Sequence, residues 1–547
     1  MMGARLDSMD RVRHQALREG CLLVAILAAF AGFKLVTNPT PFGRMAGDAS
    51  HYFEVARHVA EGDGLVTSVS VWHQGLRPLP HRSTIYPVWP LLLGGIGRHV
   101  GLEFAVTAVP EFLYLLSLVL LYSLANRIAA TWGSRTVEIW RVPATLTVGH
   151  LAVLLFGISP IYFRFTSLAH TEALAFTLSF AALLALDRTR ERSPVPWSAL
   201  AGALAGLAYL TRSQMIGVPL AITAGLALVG ASDRLWLRAA LASAAGAIAV
   251  CIPWALFLAS FVEYFSLRML VDFSAYRETP ELDPYGGFVA VETFAKFLVD
   301  RGRGFLVAFR PLGAHSYSAS FGPIVYLIPL VALSLLLSTR DRRRLILGLR
   351  ARAAITPLTT VLAGLAGLAF PHLAHSIWFG GWQFHSRQGL PMIFLIVPAL
   401  GYLLPTRRER PPAAWRTVAL LLMGGSLVYL GIQLPSHIGW RNSPPTLAEL
   451  ELSSWLSAQD PPPLSLSTMA RRLSLLSRER FHWIHCEDSA EQTKRYFRYL
   501  GIDYLIVSQR GLRCPSFVGM DTELERAAVF GEGASRITVF RPVRPRG

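Results

Sequence analysis

A chain of 547 residues in which 52% are hydrophobic and only 16% charged is not an ordinary soluble protein, where charges approach a quarter of the total. Its mean hydropathy is +0.41, and the apolar residues fall in repeated runs close to the length, about 20 residues, that crosses a bilayer. The net charge of +17 does not point to nucleic acid. The arginines gather in short connections between apolar runs, which is the pattern of a multi-pass membrane protein with its positive loops inside.

The first apolar run, from Cys21 to Val36, carries Lys34 near its end and is followed by "TNPTPFGR" without an A-x-A-like site, and so reads as a retained span rather than a cleaved signal. A window of about 20 residues and the Lys/Arg bias of short loops give about eleven spans. They fall at 20–37, 108–128, 143–160, 171–187, 197–212, 214–231, 237–260, 321–338, 355–374, 389–405 and 416–434. With the N-terminus inside, the cytoplasmic connections are "ANRIAATWGSRTVEIWR", "DRTRERS", "SDRLWLR", "STRDRRRLILGLRAR" and "TRRER". All are arginine-rich, so the opposite orientation is rejected. The expected fold class is an all-α polytopic membrane bundle over residues 1–435, followed by a small outer α/β domain over 436–547.

"IYPVWPLLLGGI" (Ile85 to Ile96) is too short to span and carries two prolines. It is expected to lie at the outer interface or dip into it, where protein or headgroups satisfy its backbone. The outer face then holds a first loop (38–107), the turn "SPIYFRFTSLAHTE", a loop at 261–320, and "HSIWFGGWQFHSRQ". The loop at 261–320 is too long for a bare connection. Its segment "VETFAKFLVDRGRGFLVAF" reads as an interfacial helix, either a lid over the acceptor or a packed outer cap. In the tail, "TLAELELSSWLSAQ", "SAEQTKRYFRYLG" and "TELERAAVF" read as helices, and "DYLIVS" and "RITVF" as strands.

Four cysteines are too few for a disulfide scaffold. Cys21 and Cys251 lie in apolar runs, while Cys486 and Cys514 share the tail. On an oxidising side these two form a disulfide, and otherwise two lone thiols.

Within the first loop, "RMAGDASHYFEVARHVAEGDG" (Arg44 to Gly64) has helical spacing. Tyr52, Val55, Ala56, Val59 and Ala60 form one face, and Glu54, Arg57, His58 and Glu61 the other, as in an amphipathic helix lying along an interface. Asp48 or Ser50 would cap its start and "GDG" would end it. On spacing alone Asp48 is either a helix cap or a catalytic carboxylate.

An acid opening a helix of the form "GDxxxYxxxAxxxxxGxG" in the first outer loop, then a "YPxxPLLL" segment, resembles the GT-C glycosyltransferases. The branch is that of protein O-mannosyltransferases (glycosyltransferase family 39-type), aminoarabinose transferases of lipid A and RgtA/B/C/D-like lipopolysaccharide transferases. "GISPIYFRFTSLAHTEALAFTLSFAALLAL", "AGALAGLAYLTRSQMIGVPLAI", "HSRQGLPMIFLIVPALGYLL" and "YLGIDYLIVS" continue the likeness in order along nearly the whole chain.

The resemblance implies a hexosyl or pentosyl transferase in a bacterial inner membrane. It would use a polyprenyl-phosphate sugar as donor and a lipid or cell-envelope glycan as acceptor, on the outer face. The first-loop acid maps onto Asp48 and the acid after the third span onto Glu172. Ala49 stands where some members carry a second acid. No cofactor is certain, and a divalent metal is left open, with Asp48, Glu172 and His170, or more distantly His51, as its ligands.

Glycosyl transfer needs a base for the acceptor proton, and positive charge or a metal for the leaving phosphate. Asp48 is assigned the first role. Arg387, flanked by His385, Trp382 and Trp378, is assigned the second, followed by Arg212, because a guanidinium holds phosphate oxygens bidentately. An arginine at an interface also snorkels without a ligand. Glu172 and His170 sit at the outer start of a span, and Glu111 at the outer end of another, without an assigned role. The rival reading is a lipid-linked sugar transporter or an assembly scaffold. A transporter predicts internal repeats and mid-membrane charges, and neither is evident.

Overall fold

The computed structural model describes residues 2–37, 48–261, 318–331, 390–404, 413–438 and 445–543. The short connections 72–78, 132–135, 140–141, 190–192, 231–232, 485–489, 518–519 and 521–522 and the single residues 329, 478 and 510 lie outside that set.

Most of the described residues are helical. Helix α1 (Met2–Thr37) is followed by α2 (Asp48–Glu61), α3 (Val88–Val100), α4 (Leu102–Thr131), α5 (Val148–Gly157), α6 (Pro160–Ser167), α7 (Glu172–Arg188), α8 (Pro194–Thr211), α9 (Gly217–Gly230) and α10 (Arg234–Ala259). Helices α11 (Ile393–Leu403) and α12 (Ala413–Ile438) close the apolar part. Four of these helices are long and apolar enough to cross a membrane, or five if the bent pair α5–α6 is one span. Of the spans expected from sequence, 355–374 lies outside the described residues, as do 329 and 332–338 of the span 321–338.

The span expected at 143–160 takes a different form. The first loop carries the short strands β1 (Val66–Thr67), β2 (Val69–Val71) and β3 (His81–Arg82), and residues Val142–Thr147 are a strand, β5, paired antiparallel with β4 (Thr136–Ile139). The helix starts only at Val148, where Thr147 and His150 form a reciprocal capping box. It stops at Gly157, and Ser159 followed by Pro160 opens a new helix at an angle of 62°. Proline suits the first position of a helix, where its missing N–H costs nothing, so "SP" restarts the helix on a new axis. Most of the turn "SPIYFRFTSLAHTE" is therefore the helix α6.

Close helix packing follows from small residues. A Cβ on Gly202 of α8 would lie 1.9 Å from the Ser243 carbonyl oxygen of α10, and one on Gly246 of α10 would lie 2.2 Å from that of Ala199. Gly202 and Gly206 form a G-x-x-x-G stripe that lets the two backbones touch, as in membrane helix pairs.

The contacts sort the bundle into two ends. At one end the Glu19 carbonyl of α1 meets His150 Nε2 at 3.1 Å, and Arg127 of α4 meets Asp187 of α7 at 2.5 Å. At the other end lie α2, α3, the start of α4, the start of α7 and the end of α8. The sequence-derived topology has Asp48, Glu111, Glu172 and Arg212 on one face, and the helices bring their positions to this common end.

The tail forms a six-stranded mixed sheet in the order β2-β7-β6-β8-β10-β9. Its strands are β6 (Leu464–Ser467), β7 (Arg480–Trp483), β8 (Tyr504–Ser508), β9 (Leu524–Phe530) and β10 (Ile537–Pro542). Its edge strand β2 (Val69–Val71) comes from the first loop and pairs parallel with β7, Val69 opposite Phe481. Apolar residues cover both faces, as a largely parallel sheet requires. Helices α13 (Leu447–Ser457) and α14 (Ala470–Leu476) pack on Val69, Phe481, Ile506 and Val539, while Leu466, Leu505 and Val507 face Phe497 of α15 (Ala490–Leu500).

The helix expected over "TELERAAVF" is instead the strand β9. It pairs antiparallel with β10 across a turn in which Gly531 and Gly533 adopt positive φ. Glu and Ala favour a helix locally, but the hairpin satisfies the backbone against a strand already in the sheet, and tertiary pairing overrides a weak local preference. Cys514 is disulfide-bonded, and Cys21 and Cys251 are free. Cys486, its expected partner, lies outside the described residues.

Candidate active site

Asp48 opens α2 and is half-buried. The helix lies in a cleft between the bundle and the tail. On one side it crosses α3 at Gly94, whose Cβ position is 2.5 Å from the Ala56 carbonyl oxygen. On another, Ala49 and Phe53 pack with Val106 of α4 and Ala169, and Leu475 of α14 covers the same cluster. Gly62, at positive φ, ends the helix, its N–H returning to the His58 carbonyl at 3.0 Å. Helix α3 takes up the "IYPVWPLLLGGI" piece from Val88 onward and continues to Val100, 13 residues long and too short to cross a membrane.

Two predicted site residues meet. Arg212 ends α8 in extended backbone, and its Nη1 donates to Glu172 Oε1 at 2.5 Å and to Thr171 Oγ1 at 3.3 Å. Its Nε is fixed by Gln214 Oε1 at 2.6 Å. Glu172 begins α7 and is fully buried. Its second oxygen, Oε2, is buried with no hydrogen-bond partner among the described residues. A buried carboxylate is costly without a partner, so Arg212 stabilises one oxygen while the other stays available as an acceptor.

The two acids share a scaffold. Trp89 Nε1 of α3 donates to the Ala169 carbonyl at 2.8 Å, and Ala169 packs against Ala49, the neighbour of Asp48. The turn that leads into Glu172 is thus clamped between the helix of Asp48 and α3. His170 lies in that turn, buried, with its ring 5.1 Å from Phe165. Glu111 has a buried partner that the sequence did not suggest. Lys34 Nζ of α1 is 3.3 Å from its Oε2, donates to Thr166 Oγ1 at 2.7 Å and sits 4.1 Å from the centre of the Tyr114 ring. Arg387, His385, Trp378 and Trp382 lie outside the described residues, as do the expected interfacial helix of the 261–320 loop and "HSIWFGGWQFHSRQ".

Glu54 departs from the amphipathic reading, which set it on the solvated face. It is fully buried. The Ser68 N–H donates to Oε1, the Thr67 hydroxyl donates to Oε2 at 2.8 Å, and His58 Nε2 is 3.2 Å from Oε1. Burial alone pushes its carboxyl up, but the bonds from His58 and Ser68 and the nearby His51 charge outweigh that and hold it below the usual range. His58 moves the opposite way, raised by its bond to Glu54 and helped by Asp63, against the effect of burial. The spacing of polar residues shows none of this, because the socket is supplied by a turn that folds back onto the helix.

Among the described residues, the acidic and histidine side chains that bring ligand atoms within 4.8 Å of one another are His58, Glu61 and Asp63. Both ring nitrogens of His58 are already engaged, Nδ1 by Asp63 at 3.0 Å and Nε2 by Ser68 at 2.8 Å.

No protein-family model matches the chain, and no curated protein matches it in sequence. Solved structures do match. The oligosaccharyltransferase AglB from Archaeoglobus fulgidus, in complex with an inhibitory peptide and a dolichol-phosphate, aligns over 89% of this chain and 69% of its own, with a TM-score of 0.54 and 11% identity. ArnT from Cupriavidus metallidurans, bound to undecaprenyl phosphate, aligns over 95% of this chain and 97% of its own, with a TM-score of 0.51 and 14% identity. The arabinofuranosyltransferase AftD from Mycobacteria aligns over 95% of this chain but 40% of its own, with a TM-score of 0.50 and 14% identity. These proteins share an architecture with this chain across nearly all of its length, and the chain carries the fold of the GT-C membrane glycosyltransferases.

Proposed function

We propose that the chain is an integral-membrane glycosyltransferase of the hexosyl or pentosyl class. It moves a sugar from a polyprenyl-phosphate carrier to a lipid or cell-envelope glycan on the outer face of a bacterial inner membrane, with its N-terminus cytoplasmic and residues 436–547 outside. The observation that carries the reading is the buried Arg212–Glu172 pair at the same end of the bundle as the helix opened by Asp48, in a chain with the GT-C fold. Support for a polyprenyl-phosphate donor comes from the lipid phosphates named for the AglB and ArnT structures.

In this reading Asp48 takes the proton of the acceptor hydroxyl or amine as that oxygen or nitrogen attacks the anomeric carbon. The bond from that carbon to the lipid phosphate breaks, and the phosphate leaves with the electron pair. Arg212, held by Glu172, meets the developing negative charge, and Arg387 with His385 adds a second contact. A preorganised guanidinium acts without reorganising when charge develops. Glu172 orients Arg212, and its remaining oxygen is placed to accept from a substrate hydroxyl.

A divalent cation fits this residue set only in part. Glu172 Oε2 lacks a hydrogen-bond partner among the described residues, but Arg212 already neutralises that carboxylate, and Ala49 gives Asp48 no acidic neighbour. The cation would supply charge to the leaving phosphate, with Asp48, Glu172 and His170 holding it.

The test is transfer by purified Asp48→Asn and wild-type protein, using labelled polyprenyl-phosphate sugars and a membrane-lipid extract as acceptor. Loss of turnover in a folded variant supports the reading. Full turnover in the variant reduces Asp48 to a helix cap. No turnover by wild type with any donor points to the transport or scaffold role.

A further inference from the structure

Ser68 is shared by two structural units. Its N–H donates to Glu54 Oε1 in α2, and its carbonyl accepts the N–H of Phe481 in β7 at 3.0 Å. The next residue, Val69, begins β2, which runs in parallel register with Phe481, His482 and Trp483. Thr67 reinforces the link, because its hydroxyl contacts Glu54 Oε2 at 2.8 Å and lies 2.9 Å from the Val69 carbonyl oxygen. One carboxylate on α2 thus grips the residues that feed the edge strand of the tail sheet.

The tail reaches α2 at two further points. Arg57 Nη1 donates to the Ser474 carbonyl at 3.3 Å, and Leu475 packs on the cluster that holds Ala49 and Phe53. Ala49 follows Asp48 directly and is fully buried. The tail therefore bears on the helix through α14 at its first turn and at Arg57, and through the residues that feed β2 at Glu54.

A buried carboxylate is a poor choice for stability alone, since an apolar residue of similar volume is often as good or better. Its distinctive property is direction: two oxygens accept from donors at fixed positions and so fix the rotation of the helix about its axis. Asp48 lies six residues away on the same rigid helix, and a small displacement of a reacting group costs far more in rate than in binding. We propose that Glu54 is a positioning residue, gripping the Thr67–Ser68 turn so that the tail sheet sets the heading of Asp48. This rests on the assignment of Asp48 as the base.

The experiment compares full-length wild type with Glu54→Gln, Glu54→Leu and Leu475→Ala in detergent. It reads hydrogen exchange over 48–54, 69–71 and 481–483, together with turnover of radiolabelled undecaprenyl-phosphate mannose, galactose and arabinose. Glu54→Leu is expected to speed exchange in all three segments together and to lower kcat about tenfold or more while the donor KM moves by less than about twofold, as misplacement of a base predicts. Glu54→Gln keeps an acceptor for the Ser68 N–H and is expected to recover most of kcat. Leu475→Ala, which leaves Glu54 intact, is expected to loosen 48–54 from the tail side, and it decides the matter if Glu54→Leu does not accumulate folded.

Unchanged exchange at 48–54 in both Glu54→Leu and Leu475→Ala would overturn the proposal, as would a Glu54→Gln variant no better than Glu54→Leu. If Asp48→Asn keeps full turnover, the assignment of Asp48 fails instead, and coupled exchange between 48–54 and 481–483 still reports whether Glu54 joins the two units.

Discussion

Glu172 Oε1 accepts from Arg212 Nη1 at 2.5 Å, and the two residues belong to helices whose neighbouring ends they lock together. Glu172 is the first residue of α7 and Arg212 directly follows the last of α8. The pair is almost wholly shielded, with side-chain exposures of 1% and 11%. Removing one partner therefore strands the other in a poorly solvated place. Arg212→Ala is expected to cost about 3–5 kcal/mol, seen as a lower thermal midpoint in detergent. Arg212→Met combined with Glu172→Gln should restore much of that midpoint. Turnover should stay lost in both, which separates the stabilising effect of the charges from their use.

The Glu54–His58 pair makes the first loop sensitive to pH in both directions. His58 has a raised folded pKa, so its contribution is full below its ordinary value and is lost as pH rises through the folded value. Glu54 has a lowered folded pKa, so its contribution is present above its ordinary value and is lost as pH falls through the folded value. Both are fully present between the ordinary carboxylate value and the ordinary imidazole value. Protection of the Ser68 and Val69 amides, taken relative to their intrinsic exchange rate at each pH, should be greatest in that window and fall on each side. His58→Gln should flatten the alkaline limb and move the acid limb upward, because His58 is among the groups that hold the Glu54 carboxyl down.

The Gly202–Ser243 approach leaves no space for a side chain, because a Cβ would press on backbone and not on a flexible side chain. Gly202→Ala is expected to force α8 and α10 apart at a cost of about 1–3 kcal/mol, and Gly202→Leu to prevent folded protein from accumulating. Size-exclusion chromatography and a thermal ramp would check both. Arg212 is carried at the end of α8, so the alanine variant should also lose turnover at temperatures where it is still folded.

In the tail, peptide mapping without reductant should recover Cys514 cross-linked to Cys486. The loop such a bond closes is short, and Cys514→Ser should lower stability by about 2–4 kcal/mol. Reduction of the wild type should reproduce that loss.

The helical character of the chain and the Asp48 helix were legible in the sequence for physical reasons, while of the about eleven spans expected, four or five helices reach membrane-crossing length among the described residues. Apolar runs and arginine-rich connections report burial in lipid directly, and the 3.6-residue spacing of Val55, Ala56 and Val59 reports a helix. It also set Glu172 and Arg212 on one side without indicating that they touch, since that depends on how α7 packs on α8. Other features depended on distant partners. Glu54 reads as solvated because Thr67 and Ser68 return to it only in three dimensions. "ELERAAVF" reads as helix because β10 is not visible to local propensity. Lys34, inside the first apolar run, gave no hint that Glu111, Thr166 and the Tyr114 ring would enclose it.

The parallel pairing of β2 with β7 has a consequence for how the protein is made. Arg57 and its tail partner Ser474 are 417 positions apart, so nearly the whole bundle is synthesised before the first loop can meet its sheet. Until then β2 is an unsatisfied edge with free backbone donors and acceptors, a state that invites wrong pairing. Native contacts of such long range form late. The helix that opens with Asp48 therefore receives its last support at the end of synthesis, and a chain interrupted before Phe481 carries the acid without the strand that steadies its helix.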